Sequence, residues 1–76
     1  MKNVTLGIDI GGTNTVFGIV TDKGTIIFKD SIPTNGMEPA SALFERLFEK
    51  FNNSFKNYSE EYKIVGIDYI LAVIED

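Results

Sequence analysis

The sequence predicts one small α/β domain in which three strands, a helix and a fourth strand follow one another along 76 residues. Three observations lead to this fold class. The first third of the chain alternates apolar and polar residues, which is typical of strands. The middle carries apolar residues at helical spacing, and a short apolar run follows it. A strand reached through a crossover helix is expected to lie parallel to an earlier strand.

The first three predicted strands form an antiparallel meander. From Asn3 to Gly11 the even positions are apolar and the odd positions are small or polar, so the first strand has one apolar face. A β-branched and aromatic run from Thr15 to Thr21 predicts the second strand, and Thr25 to Ile32 predicts the third. The short turn between them contains Gly24, which can adopt a positive φ.

The period changes after the segment Pro33 to Gly36. Apolar side chains then recur at helical spacing and predict an amphipathic helix from about Glu38 to Asn57. Its predicted packing face consists of Ala40, Phe44, Leu47, Phe48, Phe51, Phe55 and Tyr58. Pro39 suits the first helical turn, because an N–H is not needed there, and no N-cap side chain is evident.

The last part of the chain predicts one more strand and a tail. Tyr62 to Ile67 is the predicted fourth strand, which the helix connects to the meander. The tail, residues 68–76, is apolar between acids and fits either a strand or a short helix.

Composition and charge exclude several classes of function. The chain has 7 Lys and Arg against 11 Asp and Glu, so it offers no basic patch for nucleic acid or for an anionic membrane surface. It has no Cys and no His, which excludes disulfides, thiol catalysis, Cys/His zinc sites and a Ser–His dyad. Any metal must therefore be held by oxygen. The N-terminal apolar run is broken by Asp9 and is not a secretion signal, so we expect a cytoplasmic protein.

The stretch LGIDIGGTNTVFGIV, Leu6 to Val20, contains the candidate site residues. Gly11 and Gly12 can turn sharply and present N–H groups to an anion, and Thr13 and Asn14 add side-chain donors, so together they could cradle a phosphate. Asp9 is expected to be a buried carboxylate at the strand end, where Mg²⁺ beside bound phosphates would compensate its charge. The alternative is a simple tight hairpin in which turn amides satisfy Asp9.

Two common phosphate loops do not fit this stretch. Gly7 and Gly12 have P-loop spacing, but Thr13 stands where that motif requires Lys. A dinucleotide-binding fingerprint needs a third glycine and a following helix, whereas a predicted strand follows here. A phosphate bound at this turn would therefore rest in a β-hairpin.

The string from Gly7 to Val20 resembles the first phosphate motif of the superfamily that contains sugar kinases, heat-shock protein 70 and actin. With TDKGTII, the PTNG break, the long helix and KIVGI, residues 3–67 resemble the opening of a glucokinase-like protein of the ROK (repressor, open reading frame, kinase) family. The resemblance implies a truncated ribonuclease H-like half-domain of the kind found in actin-like ATPases. Residues 1–76 would then form one partial, nucleotide-phosphate-binding subdomain with an atypical tail at 68–76.

The resemblance also implies an activity, the transfer of a phosphoryl group from Mg-ATP to a hexose hydroxyl. It assigns the ATP phosphates to Gly11, Gly12 and Thr13, with Asn14 beside them, and Mg²⁺ to Asp9. The family's catalytic base, sugar-binding residues and zinc cluster come from later segments. We therefore expect this chain alone to be inactive and hexose to bind only in a full-length protein. Family members continue with a run such as Gly-Ile-Gly-Ala-Pro where this chain departs, so Asp68 is expected to be a strand-end or tail acid.

Two alternative functions belong to other classes. A sugar-sensing transcriptional repressor of the same family carries DNA-binding helices ahead of the motif, and only 6 residues precede Gly7, which favours the kinase. A non-enzymatic self-associating module would use the sheet face and strand edge that a single helix leaves open. The candidate contact is Tyr69 to Ile74, and we expect a homo-oligomer.

Overall fold

The computed structural model describes residues 1–71, apart from the side chains of Ile70 and Leu71, as a 4-stranded mixed sheet with one helix. The strands are β1 (Lys2–Ile10), β2 (Asn14–Thr21), β3 (Ile26–Pro33) and β4 (Tyr62–Leu71), and the helix is α1 (Ala40–Phe55). The sheet order is β3-β2-β1-β4, with β1 antiparallel to β2 and parallel to β4. The predicted α/β class, antiparallel meander and parallel fourth strand are confirmed.

The core lies between α1 and one face of the sheet. Side chains alternate along a strand, so even positions of β1 and odd positions of β2 share this face. The buried side chains are Val4, Leu6, Ile8, Thr15, Phe17, Ile19, Ile32, Leu43, Leu47 and Phe51. The opposite face, here called the open face, carries Gly7 and Asp9 and has no helix over it within residues 1–71. The alternation predicted for the first strand thus corresponds to its two faces, with the apolar even positions in the core and the odd positions on the open face.

Helix α1 is shorter at both ends than the predicted Glu38 to Asn57. Pro39 is the N-cap residue, with an extended ψ of 151°, and not part of the first helical turn as predicted. No side chain caps this end, in agreement with the sequence. Within residues 1–71 no helix is long and apolar enough to cross a membrane.

The packing face of α1 is centred on Leu43, Leu47 and Phe51, all of which are buried. The prediction omitted Leu43 and included Ala40, which is exposed. Phe51 packs against Phe17 of β2 with ring centroids 6.3 Å apart and nearly perpendicular planes. Such edge-to-face aromatic pairs add stability beyond the area they bury. Helix α1 is therefore held against β2, the strand that follows the candidate turn.

Strand β4 continues past the predicted end at Ile67 to Leu71. Asp68 consequently lies inside the strand, paired in register with Gly7, and is not a tail residue. Tyr69 contacts Phe44 of α1 at a ring-centroid distance of 5.9 Å but remains 56% exposed. Residues 72–76 of the predicted tail, including the rest of the candidate contact from Tyr69 to Ile74, lie outside the described residues.

Candidate functional site

The predicted glycine turn is the connection between β1 and β2. The Gly11 N–H donates a hydrogen bond to the Asn14 carbonyl at 3.0 Å, and Ile10 pairs with Thr15 just below the turn. Neither glycine uses the left-handed region, since Gly24 is the glycine with a positive φ among the described residues. The turn is therefore closed by the backbone hydrogen bond between Gly11 and Asn14, and neither glycine needs a positive φ.

The two glycines have different steric surroundings. A Cβ atom added to Gly11 would lie 2.9 Å from the Asn14 carbonyl oxygen, which is closer than real Cβ atoms come. A Cβ added to Gly12 would meet no atom within 4 Å. Gly11 is thus required by the fold of the turn, whereas the absence of a side chain at Gly12 leaves open space beside its backbone amide.

Most of the turn's carbonyl groups already have partners. The Asn14 carbonyl accepts from Gly11, the Thr13 carbonyl accepts from the Thr34 N–H at 2.9 Å, and the Gly11 carbonyl accepts from the Thr34 hydroxyl at 2.8 Å. By contrast, the N–H groups of Gly12 and Thr13 donate to no acceptor within residues 1–71. Both residues are exposed. The tip of the turn therefore presents two adjacent backbone donors to solvent, an arrangement suited to an anion.

Two side chains that the sequence did not point to, Thr15 and Thr34, support this turn. Their hydroxyl oxygens are 2.8 Å apart, and Thr15 is 0% exposed. The available indication was the position of Thr15, a polar residue that shares its side of the strand with Phe17 and Ile19. Buried hydroxyl groups require a hydrogen-bond partner, but the sequence could not show that the partner is Thr34.

Arg46 connects the same region to helix α1. Its guanidinium donates to the Pro33 carbonyl at 2.9 Å and to the Thr34 carbonyl at 3.2 Å, and it forms an ion pair with Glu38 at 3.2 Å. The Arg46 side chain is 32% exposed, so the ion pair itself is partly screened by solvent. The main effect of Arg46 is to hold the end of β3 beside the turn.

Asp9 lies on the open face, directly before the turn, where the sequence placed it. The expectation that it is a buried carboxylate is wrong for residues 1–71, because nothing there covers the open face and Asp9 is exposed. Its carboxylate forms no ion pair within this part of the chain, and turn amides do not satisfy it. Among residues 1–71, the Asp9 carboxylate therefore has no partner and is available to a ligand beside the turn.

A shallow hollow of about 310 Å³ on the open face brings Asp9 together with residues from all four strands. Its floor follows one row of the sheet, which reads Lys29, Gly18, Gly7 and Asp68 across β3, β2, β1 and β4. A Cβ added to Gly18 would collide with the Phe28 carbonyl oxygen, whereas a Cβ added to Gly7 would meet no atom within 4 Å. The floor thus has a lysine at one end and an aspartate at the other.

Asp68 was expected to be a strand-end or tail acid, and the structure places it within β4, on the same face as Asp9. Both line the hollow, on the neighbouring strands β1 and β4. Among residues 1–71 no group of three or more His, Cys, Asp or Glu side chains could hold a metal without help. Magnesium commonly binds through one or two carboxylates together with substrate phosphates. The oxygen donors present here fit that kind of shared coordination.

No protein-family model matches the chain, and a search of the curated proteins gives no match. The assignment of a function therefore depends on the turn, the carboxylates beside it and the strand order.

Proposed function

We propose that the chain is the N-terminal, phosphate-binding part of an ATP-dependent sugar kinase of the ROK family. The observation that carries this proposal is the donor-rich tip of the β1–β2 turn. Gly12 and Thr13 offer free backbone N–H groups within residues 1–71, while three neighbouring carbonyls are held by other residues. A turn in this state has hydrogen-bonding capacity for an anion and little for a cation.

The architecture supports the same proposal. A three-stranded meander, a helix and a fourth strand parallel to β1 is the order that the resemblance to a ribonuclease H-like, actin-like ATPase half-domain implies. In that order the first hairpin comes directly after the central strand, so that a phosphate at the hairpin lies next to Asp9. Strand β1 is central in this sheet.

Each residue has a specific role in this proposal. The N–H groups of Gly12 and Thr13 bind the ATP phosphates, Gly11 allows the tight closure, and the Thr13 hydroxyl and Asn14 amide add donors. Asp9 holds Mg²⁺, directly or through water, with Asp68 as a second carboxylate near it. When bound, Mg²⁺ neutralises phosphate charge. The attack of a hexose hydroxyl on ATP needs a base and a sugar pocket from other segments, so residues 1–76 alone are expected to be inactive.

The experiment that tests this proposal is an amide NMR titration of the chain with Mg-ATP. We expect shifts centred on Gly11 to Asn14 at millimolar nucleotide. Asp9→Asn keeps the side-chain shape but removes the charge, so we expect it to weaken binding in the presence of Mg²⁺ and not to weaken binding of Mg²⁺-free triphosphate, which the carboxylate repels. Asp22→Asn, in the exposed β2–β3 turn, is the matched control and should bind as the unmodified chain does.

Two outcomes contradict the proposal. One is the absence of any shift at millimolar Mg-ATP. The other is equal weakening by Asp9→Asn and Asp22→Asn, which would indicate a general effect of charge and not a metal ligand. Sugar-dependent release of ADP by the purified chain would contradict the narrower expectation that it is inactive alone.

A second candidate function is self-association through the open face. The hollow is lined by apolar residues, including Val16, Val20 and Ile26, and Ile26 is 56% exposed. Apolar surface left uncovered in this way favours association. Sedimentation over a range of concentrations tests it, and replacing Ile26 with Lys should lower association if the open face is the contact. A monomer at every concentration contradicts this function.

A further inference from the structure

We infer that Thr34 is a positioning residue that sets the phosphate affinity of the β1–β2 turn from outside the turn, with Thr15 fixing its hydroxyl. This inference rests on the proposed function. Thr34 is 23 residues from Gly11 in sequence and lies outside the stretch Leu6 to Val20 that contains the candidate site residues. It contacts the turn twice, through its hydroxyl to the Gly11 carbonyl and through its N–H to the Thr13 carbonyl.

The direction of the hydrogen bonds follows from the number of protons available. A carbonyl oxygen can only accept, so the single proton of the Thr34 hydroxyl is committed to Gly11. The 2.8 Å contact between Thr15 and Thr34 must then use the proton of Thr15. Because Thr15 is 0% exposed, water cannot replace this bond. Thr15 therefore keeps Thr34 in the orientation that donates to the turn.

The bond to Gly11 also decides where the Gly12 N–H points. The two groups belong to one peptide unit, and no peptide bond within residues 1–71 is cis. In a trans peptide the C=O and the N–H point in opposite directions. When the Gly11 carbonyl is held toward Thr34, the Gly12 N–H is therefore aimed away from Thr34 and toward solvent. Without the Thr34 hydroxyl, this peptide unit is free to rotate and the donor loses its fixed direction.

Arg46 fixes Thr34 in turn. It donates to the carbonyls of Pro33 and Thr34 and so ties this backbone to α1. The chain of contacts runs from the helix to the end of β3 and from there to the turn. Its result is a donor that is oriented before any phosphate arrives, which lowers the entropy cost of binding.

The test compares Mg-ATP and inorganic triphosphate binding, by amide NMR titration, in variants of the whole chain. Thr34→Val should weaken both ligands by about threefold to tenfold, the range that corresponds to one hydrogen bond. Thr34→Ser keeps the hydroxyl and should restore binding. Thr21→Val is the matched control, because the Thr21 hydroxyl accepts bonds from Lys23 and Thr25 in the other hairpin. It should leave the affinity unchanged.

A double variant separates positioning from stability. Thr34→Val leaves the buried Thr15 hydroxyl without an acceptor and should lower the urea midpoint of unfolding. Adding Thr15→Val removes that unsatisfied hydroxyl, so stability should recover while affinity stays low. Recovery of affinity together with stability would show a merely structural role and overturn the inference.

The failures of the two proposals are distinguishable. If the unmodified chain binds triphosphate and Thr34→Val binds it equally well, the positioning role is wrong and the proposed function stands. If the unmodified chain binds neither ligand, the proposed function fails and this inference fails with it.

Discussion

The two hairpins of the meander differ in how the backbone N–H and C=O groups of their turns are hydrogen-bonded. In the β2–β3 hairpin, the N–H groups of Lys23, Gly24 and Thr25 all donate to Thr21, through its carbonyl or its hydroxyl. Gly24 has a φ of 84°, so the turn depends on glycine for its backbone conformation. Three of the four N–H groups of residues 22–25 are thus bonded within the hairpin itself.

The β1–β2 hairpin is held from outside. Its Gly11 and Thr13 carbonyls are bonded by Thr34, which belongs to the segment after β3, while the N–H groups of Gly12 and Thr13 have no partner among residues 1–71. Two adjacent N–H groups without a partner, in a turn whose carbonyls are bonded by a distant residue, distinguish a turn that can bind an anion from a turn that only connects strands. Replacing each of the three glycines of these hairpins, Gly11, Gly12 and Gly24, with alanine tests this difference.

Gly11→Ala should have the largest effect. Its methyl group would lie 2.9 Å from the Asn14 carbonyl oxygen, so the turn must open and the Gly11 to Asn14 hydrogen bond must lengthen. We expect a loss of about 1–3 kcal/mol in the free energy of unfolding, as for other overpacked sites, together with loss of phosphate binding. Urea unfolding and the Mg-ATP titration measure the two effects. An unchanged unfolding free energy would contradict the steric role of Gly11.

Gly24→Ala should have an intermediate effect on stability and none on binding. A side chain at a φ of 84° is strained even though no atom lies within 4 Å of it. We expect a loss of about 1 kcal/mol in the free energy of unfolding. The Mg-ATP affinity should match that of the unmodified chain. A weaker affinity in this variant would show that the two hairpins are coupled and would remove the contrast between them.

Gly12→Ala should have the smallest effect on stability, within about 0.5 kcal/mol, because the new methyl group meets nothing in the fold. It stands beside the free N–H groups, however, and should obstruct a phosphate. A loss of affinity without a loss of stability would sharpen the distinction between the two hairpins. Full affinity in Gly12→Ala would argue against phosphate at this tip.

Much of the fold could be predicted because it depends on local patterns. Alternation identified β1 and its apolar face, β-branched runs identified β2 and β3, and the position of Gly24 in a short turn was confirmed by its positive φ. The helix ends were less predictable, since no side chain caps the N-terminus and Pro39 fits either side of the boundary. The continuation of β4 past Ile67 was one of two alternatives left open for the tail, because pairing with β1, and not the local sequence, decides between them.

The candidate site likewise has features that the sequence predicted and features that it did not. The sequence by itself determined that a carboxylate and a glycine turn lie together at the end of β1, since those residues are adjacent in the chain. Only the tertiary structure decided that Asp9 stays exposed, that Asp68 shares its hollow, and that Thr34 contacts the turn. The physical reason is that burial and hydrogen-bond partners depend on which strands become neighbours. A strand order of β3-β2-β1-β4 brings together residues that local patterns cannot relate.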